Sequence, residues 1–268
     1  MLFTEKIEEI IRTVMWTGYV KNERPVSLML VAPPESGKTE LIMKCAQLNN
    51  PPAFVFNDLT ITGVRNMLEG LKEGKYTHLV CPDFIKIISR KSSTVSNLTT
   101  MLNSLIEEGI IRIDIYNFQF FSPVPVRCGL ISAMTPKTFT SRKLKSYWGK
   151  IGLNTRMVLC SWTYNDIQIK KIYEYIKGGR HRSEELIKIK FPKKPKDITM
   201  NKRYANTIEP ISMGLAKDMK VYGFRFQKQL QTLVKARALM RKSDHVTKRD
   251  VNDVLMLSKW INLRGNEL

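Results

Sequence analysis

Short apolar runs and amphipathic stretches alternate along the first two thirds of the chain. Five apolar runs have the length and composition of buried strands, at residues 26–31, 53–56, 78–81, 130–133 and 156–161. Four stretches carry apolar residues at helical spacing and predict amphipathic helices, at residues 5–16, 37–48, 62–72 and 96–108. Strands that alternate with helices predict an α/β fold with a parallel sheet, and we expect this domain to occupy residues 1–177.

The pattern changes period before the fourth of these strands. Isoleucines alternate with polar residues from residue 110, and aromatic residues follow a turn signal at Asn117. This pattern predicts a β-hairpin over Ile110–Val124.

The last third of the chain lacks the alternation of strands and helices. Segment 178–203 is basic and contains prolines, which predicts a solvated linker. Residues 204–268 predict a helical domain with helices near 226–241 and 247–262, and the second is preceded by a capping-box pattern at Thr247–Asp250. The sequence therefore predicts an α/β sheet domain followed by a C-terminal helical lid domain.

The octapeptide Ala32–Thr39 is the strongest chemical signal. Its sequence, Ala-Pro-Pro-Glu-Ser-Gly-Lys-Thr, follows a predicted strand and precedes a predicted helix, which is the setting of a phosphate loop. We expect the backbone that surrounds the phosphates to come from Pro34, Glu35, Ser36 and Gly37. Lys38 would reach the β- and γ-phosphates, and the Thr39 hydroxyl would bind Mg²⁺. Ala32 replaces the first glycine of the motif, a change that a negative φ tolerates. The expected cofactors are ATP and Mg²⁺.

A second acidic residue is expected at a strand end to position Mg²⁺ through water. Asp83, directly after the run 78–81, is the candidate, and its alternative role is to cap the helix that follows. A hydrolytic site usually adds a glutamate to activate the attacking water, but the next residue is Phe84, which cannot accept a proton. Glu107 and Glu108 could supply a displaced carboxylate or could be solvated surface.

Composition and cysteine usage fit a soluble protein. Of the 268 residues, 43% are hydrophobic, and no apolar stretch approaches the roughly 18 residues that cross a bilayer. The N-terminus lacks a signal-peptide pattern, so we expect a cytoplasmic chain with no membrane partner. The four cysteines lie far apart without metal spacing, which predicts buried free thiols.

The charge points to partners rather than to fold. The formal net charge is +20, and residues 137–203 alone contain 18 Lys and Arg against 5 Asp and Glu. Nucleic acid is the partner that we expect, although other basic proteins bind acidic proteins or membranes, or are simply soluble.

Several segments together resemble the AAA+ ATPases. A phosphate loop, a strand followed by Asp83, a hairpin, and a strand that ends at Thr135 follow one another as in the group with a pre-sensor-1 β-hairpin. Within that group the chain is most similar to the MCM replicative helicase core. The segments that carry the resemblance are Cys81–Lys86, Val126–Pro136, Leu153–Met157 and Phe224–Leu257. Phe84 stands where the family has glutamate, Thr135 stands where it has asparagine, and the family's large N-terminal DNA-binding domain is missing. Loader and transposition-regulator AAA+ proteins of similar size are alternatives.

The resemblance implies roles for three further residues. Thr135 would contact the γ-phosphate or its water. Arg156 would project into the site of a neighbouring subunit and offset charge on the phosphoryl group, and Arg225 in the lid would contact the γ-phosphate. The alternatives are a surface arginine for Arg156 and a helix-face salt bridge for Arg225. An arginine supplied in trans implies a homo-oligomer, either a hexamer-like ring or a filament.

The resemblance also places the hairpin at the centre of such a ring. Tyr116 and Phe118 at its tip could stack on bases, or they could pack in the core. Arg142, Lys143 and Lys145 could follow DNA phosphates, or they could be solvated charges. DNA contacts of this kind would weaken steeply with added salt.

Two functions from different classes stay open on the sequence alone. The first is an oligomeric ATPase that moves or remodels DNA, which Thr135 and Arg156 favour. The second is an ATP-gated scaffold on DNA that hydrolyses slowly and recruits a protein partner, which Phe84 favours. A small-metabolite kinase is a third possibility, but no acceptor-pocket motif supports it.

Overall fold

The computed structural model describes most of the chain. The described residues are 3–46, 53–59, 61–115, 118–141, 144, 152–179, 190–262 and 266–267. Tyr116, Arg142, Lys143 and Lys145, which were predicted to contact nucleic acid, lie outside them.

The described strands and helices alternate as expected. The strands are β1 Ser27–Val31, β2 Ala53–Val55, β3 His78–Cys81, β4 Ile110–Ile115, β5 Phe118–Val126, β6 Gly129–Met134, β7 Met157–Thr163 and β8 Asn266–Glu267. The helices are α1 Glu5–Thr17, α2 Lys38–Ala46, α3 Ile61–Lys72, α4 Ile85–Ile88, α5 Ser92–Ile106, α6 Pro136–Phe139, α7 Asp166–Lys177, α8 Lys202–Met219, α9 Phe224–Met240 and α10 Lys248–Leu257. A 3₁₀ turn, Leu153–Arg156, leads into β7.

The main sheet is parallel, with strand order β2-β3-β6-β1-β7 in the described part of the chain, and the two-residue β8 extends it beyond β7. β1 lies between β6 and β7, with Leu28 opposite both Ile131 and Val158. The predicted α/β class with a parallel sheet is confirmed, and the fold is compatible with a phosphate-loop domain.

Two apolar clusters cover the two faces of this sheet. Leu28 and Leu30 of β1 belong to one cluster, and Met29 and Val31 belong to the other, as the two-residue period of a strand requires. The first cluster includes residues of α1, α2 and the C-terminal helices, and the second includes residues of α3, α5 and the β4–β5 hairpin. Because both faces are buried, the strands form continuous apolar runs in the sequence.

The C-terminal helices pack directly on α1. Leu230 and Leu233 of α9 share a core cluster with Ile7 of α1, and Arg237 of α9 forms an ion pair with Glu9 at 2.9 Å. The predicted capping box is confirmed, since Thr247 N donates to Asp250 Oδ2 at 2.8 Å.

The described half of the predicted linker packs on the sheet domain instead of being solvated throughout. Phe191 stacks on Tyr19 with ring centroids 5.1 Å apart, and Ile198 is buried. Lys196 N donates to Tyr19 O at 2.9 Å. The apolar side chains of Phe191 and Ile198 explain this attachment, because their burial removes apolar surface from water.

The predicted hairpin is confirmed as a separate antiparallel pair, β4 and β5, with Ile115 opposite Phe118. Lys72 of α3 donates to Phe121 O at 2.9 Å, which attaches the hairpin to that helix. Among the helices of the described residues, none combines the length and apolar character that crossing a bilayer requires.

Candidate nucleotide site and an arginine cluster at the opposite edge of the sheet

The predicted phosphate loop connects the carboxyl end of β1 to the amino end of α2. Glu35 and Gly37 both have positive φ, +60° and +78°, so the backbone turns sharply before the helix. Pro34, Glu35 and Thr39 are exposed, whereas Ser36 is buried. The loop leads directly into the N-terminus of α2, whose first backbone N–H groups have no partner within the helix and can bind an anion.

Lys38 is held over this loop by the loop's own oxygens. Its Nζ donates to Ala32 O at 2.8 Å, to Pro33 O at 2.6 Å and to Ser36 Oγ at 3.1 Å. Burial lowers the pKa of Lys38, while the negative charge of Asp83 opposes that shift. The ammonium is therefore held at the loop by three loop oxygens, and the charge of Asp83 acts on it from nearby.

Asp83 follows β3, at the same edge of the sheet as the loop. Its Oδ1 accepts from Ile85 N at 3.1 Å, so it also fixes the start of α4. The N-cap residue of α4 is Phe84 and not Asp83, so Asp83 stabilises the turn before the helix instead of capping it, and its role toward Mg²⁺ stays a prediction. Thr39 and Asp83 are the oxygen donors of this chain that would hold Mg²⁺, which prefers a few carboxylate or hydroxyl ligands with water and phosphate.

Phe84 belongs to the core. It is 1% exposed within the second apolar cluster, and its N donates to Ala133 O at 3.0 Å. The side chain that follows Asp83 is thus directed into the protein. A glutamate at this position would be buried among apolar side chains in this backbone conformation, which explains in packing terms why the chain has phenylalanine.

Thr135 follows β6, the strand between β1 and β3. Its Oγ1 lies 3.0 Å from Thr138 Oγ1 and accepts from Thr138 N at 3.3 Å, so it caps α6. Ala32 N donates to Met134 O at 3.4 Å, which places Thr135 next to the start of the phosphate loop. The fold thus brings the ends of β1, β3 and β6, and with them Lys38, Asp83 and Thr135, to one edge.

Arg156 and Arg225 lie together, around the carboxylate of Glu107. Arg156 Nε is 3.3 Å and Arg225 Nε is 3.4 Å from Glu107 Oε2, and Arg24 Nη1 is 2.6 Å from Oε1. We call Arg24, Arg156 and Arg225 the arginine cluster. Burial lowers the pKa of Arg156 and the charge of Arg225 lowers it further, whereas Glu107 opposes the shift.

The arginine cluster and the phosphate loop lie at opposite edges of the sheet. Met157, the first residue of β7, is opposite Ser27, the first residue of β1, and Arg156 precedes it. The phosphate loop follows the last residue of β1. Because a parallel strand rises about 3.3 Å per residue, roughly 13–16 Å of strand separates the two edges. Glu107 therefore cannot supply the missing carboxylate to the phosphate loop of its own chain, which excludes one of the two roles that the sequence left open for it.

Sequence reasoning missed two residues of these sites. Tyr164, just after β7, donates its hydroxyl to Ser36 O at 3.2 Å and so supports the phosphate loop. Arg24 lies before β1 and joins the arginine cluster. Both depend on contacts between segments that are distant along the chain, so neither produces a local motif.

Of the two hairpin aromatics expected at the tip, the structure describes Phe118, and it shows the second of the two roles left open, packing in the core. Phe118 is 4% exposed and packs in the second cluster, so the structure does not place its ring where a base could stack on it. Phe121 is 61% exposed, because its side chain alternates with those of Phe120 and Ser122, which are buried. The alternation of β5 therefore directs Phe118 inward.

The four cysteines are all free and buried, as predicted. Burial raises the pKa of Cys45 to about 12 and that of Cys81 to about 11, which leaves both as unreactive thiols.

The chain matches no model of a known protein family, and no curated protein matches it significantly.

Proposed function

We propose that this chain binds ATP and Mg²⁺ at the loop Ala32–Thr39 and that its copies assemble on DNA through the bound triphosphate. Arg156 of one copy then contacts the triphosphate held by Lys38 of the next. The observation that carries the proposal is the placement of these two residues at opposite edges of one sheet. The sheet separates a triphosphate on the loop of one copy from the Arg156 of that same copy.

The roles of the other residues follow from their positions. Asp83 and Thr135 follow the neighbouring strands β3 and β6 at the edge that carries the phosphate loop, where they would hold Mg²⁺ and the γ-phosphate or its water. Contacts between unlike surfaces of identical copies repeat head to tail and produce a ring or a filament. The shared position of loop, Asp83 and Thr135 supports the resemblance to AAA+ proteins, and α8–α10 would form the lid.

DNA is the partner that the charge favours. The net charge of +20 would attract a polyanion along the whole assembly. We therefore expect assembly with ATP to be strengthened by DNA, and the contribution of DNA to fall steeply as salt is raised.

The test is particle mass with and without ATP, Mg²⁺ and DNA, together with binding of a fluorescent ATP analogue. We expect single chains without ATP and multi-chain particles with it, and DNA should increase their fraction. Lys38→Ala should lose both nucleotide binding and assembly. Lys44→Ala, which changes a lysine of the same helix that pairs with Glu8 at 3.2 Å, should keep both. Assembly of the Lys38→Ala variant at the wild-type ATP concentration would refute the proposal.

The burial of Phe84 favours a second candidate, an ATP-gated scaffold that recruits a protein partner. Without a base beside Asp83, the attacking water lacks activation, and hydrolysis should be slow. A turnover assay separates the candidates. Phosphate release that DNA accelerates supports the motor, whereas a long-lived ATP-loaded assembly on DNA with negligible release supports the scaffold.

A further inference from the structure

The arginine cluster has more positive charge than its carboxylate neutralises. Glu107 is the carboxylate within ion-pair distance of all three guanidinium groups, at 2.6, 3.3 and 3.4 Å. Lys228 and Glu23 line the same cavity, whose volume is about 810 Å³, so four cationic side chains share it with two carboxylates. Like charges held this close repel one another, so a second anion would stabilise the cluster.

Glu107 is held in a position that does not itself favour a carboxylate. It ends α5 as the C-cap residue, where the partial charge of the helix is negative. Its two oxygens divide between Arg24 on one side and Arg156 with Arg225 on the other. A phosphate group offers at least three oxygens to the same donors and carries more charge than a carboxylate. Its binding to the arginines is therefore stronger, and it can displace Glu107.

The arginines have other bonds that keep them in place. Arg156 Nη1 donates to Gly152 O at 2.9 Å, and Arg225 Nη1 donates to Thr155 Oγ1 at 3.0 Å. Gln229 Nε2 donates to Arg156 O at 2.8 Å, which joins α9 to the 3₁₀ turn independently of Glu107. Departure of the carboxylate would therefore leave a preformed set of donors. Arg24 and Arg225, at 53% and 45% side-chain exposure, give an incoming anion access from solvent.

We infer that the arginine cluster is a phosphate-binding site and that Glu107 is its internal counter-ion, displaced when a phosphate group binds. The phosphate is either the end of a triphosphate held by a neighbouring copy, which rests on the proposed function, or a free polyphosphate. In the first case Glu107 sets the ATP concentration at which copies assemble, because each contact must first displace it.

Binding of inorganic tripolyphosphate tests the site by itself. The measurement is calorimetry on the Lys38→Ala chain, so that the chain's own phosphate loop does not contribute. We expect Glu107→Gln to tighten binding about tenfold, since one competing charge-assisted contact is removed. Glu108→Gln makes the same change of net charge at an exposed neighbour and should alter affinity less than twofold. Arg156→Ala should abolish binding, whereas Lys177→Ala, which removes an exposed lysine, should not.

Two outcomes would overturn the inference. The first is unchanged tripolyphosphate affinity in Glu107→Gln, with only a lower unfolding temperature, which would make Glu107 a structural salt bridge. The second is an equal loss of tripolyphosphate binding in Arg156→Ala and Lys177→Ala, which would show that the binding is only general charge attraction. If Glu107→Gln does not fold, unfolding of the Lys38→Ala chain still decides whether the arginine cluster binds phosphate. Tripolyphosphate must raise its midpoint, and Arg156→Ala must remove that rise.

The source of the phosphate is decided in the chain with Lys38 intact. Assembly of Glu107→Gln at an ATP concentration several-fold lower than wild type assigns the phosphate to a neighbouring copy. Unchanged assembly with tighter tripolyphosphate binding assigns it to a free polyphosphate. If the wild-type chain does not assemble at all, the proposed function fails, but the tripolyphosphate result still decides whether the site exists.

Discussion

Lys38 and Arg156 lie at opposite edges of one parallel sheet, the first after the carboxyl end of β1 and the second before the amino end of β7. The ammonium is bound by Ala32 O and Pro33 O, and the guanidinium group pairs with Glu107. Each chain therefore holds a cationic side chain at each edge, and under the proposed function both surfaces bind phosphate. Copies arranged head to tail would bring the two surfaces together.

Asp83→Asn should separate the metal role of this residue from its structural role. The amide oxygen can still accept from Ile85 N, so α4 should be retained, but the charge that attracts Mg²⁺ is removed. Mg²⁺ should increase the ATP affinity of this variant about tenfold less than it increases that of the wild type. Without Mg²⁺, in EDTA, the ATP affinity should be unchanged or slightly higher. Titrations with and without Mg²⁺ measure this difference, and Asp197→Asn is the control. An equal loss with and without Mg²⁺ would count against a metal role.

Phe84→Glu should unfold the chain rather than restore hydrolysis. Its side chain would bury a charge in the second apolar cluster, at a cost of more than about 3 kcal/mol in the free energy of unfolding. Phe84→Leu should cost about 1 kcal/mol and leave ATP binding intact. Denaturant unfolding and a turnover assay check both variants. A folded Phe84→Glu protein with faster turnover would show that this side chain can reach the phosphate loop.

Tyr164→Phe should weaken ATP binding without unfolding the protein. The hydroxyl donates to Ser36 O and holds the loop backbone from the end of β7. Loss of one such hydrogen bond should lower ATP affinity by roughly fivefold. Tyr173→Phe, at an exposed tyrosine of α7, should have no effect on the same titration. Equal affinities of Tyr164→Phe and wild type would remove Tyr164 from the site.

His78 should make the protein less stable in mild acid. Burial lowers the pKa of His78 to about 4, although its Nε2 lies 3.2 Å from Val26 O. The unfolded chain takes up a proton below about pH 6.5, whereas the folded chain does so only near pH 4. Stability present above pH 6.5 is therefore lost as the pH falls from 6.5 to 4, by roughly 3 kcal/mol.

Denaturant unfolding between pH 4 and 7 measures this slope. His78→Gln should flatten it, whatever its effect on overall stability. His245→Gln changes an exposed histidine and should leave the slope as in wild type. The same slope in His78→Gln and wild type would assign the acid sensitivity to other groups.

The strands, and the strand–turn–helix setting of the predicted phosphate loop, could be predicted because their signals are local. β1 is buried on both faces and forms one apolar run, and a glycine, a lysine and a threonine follow it at fixed spacing. The antiparallel hairpin was predicted for the same reason, since Ile111, Ile113 and Ile115 alternate with polar residues.

The arginine cluster could not be predicted, because it joins four segments distant along the chain. Arg24 carries no local signal, and the sequence indicates for Glu107 only a displaced carboxylate or solvated surface. The parallel pairing of β1 and β7 brings Arg24 to Arg156, and the end of α5 brings Glu107 there. The sequence left the direction of Phe118 open between solvent and core for a related reason. Its side depends on the register of β5 against α3, which composition does not reveal.

Mixing two defective variants tests the central claim most directly. Lys38→Ala and Arg156→Ala are combined at equal concentration with ATP and Mg²⁺, and particle mass is measured. Neither variant alone should assemble. The mixture should form particles of two chains of 31.0 kDa each, because the intact loop of the Arg156→Ala chain meets the intact arginine of the Lys38→Ala chain while the other two surfaces are both defective. A mixture that stays as single chains, although the wild-type protein assembles, would contradict a triphosphate shared between Lys38 and the Arg156 of a neighbouring copy.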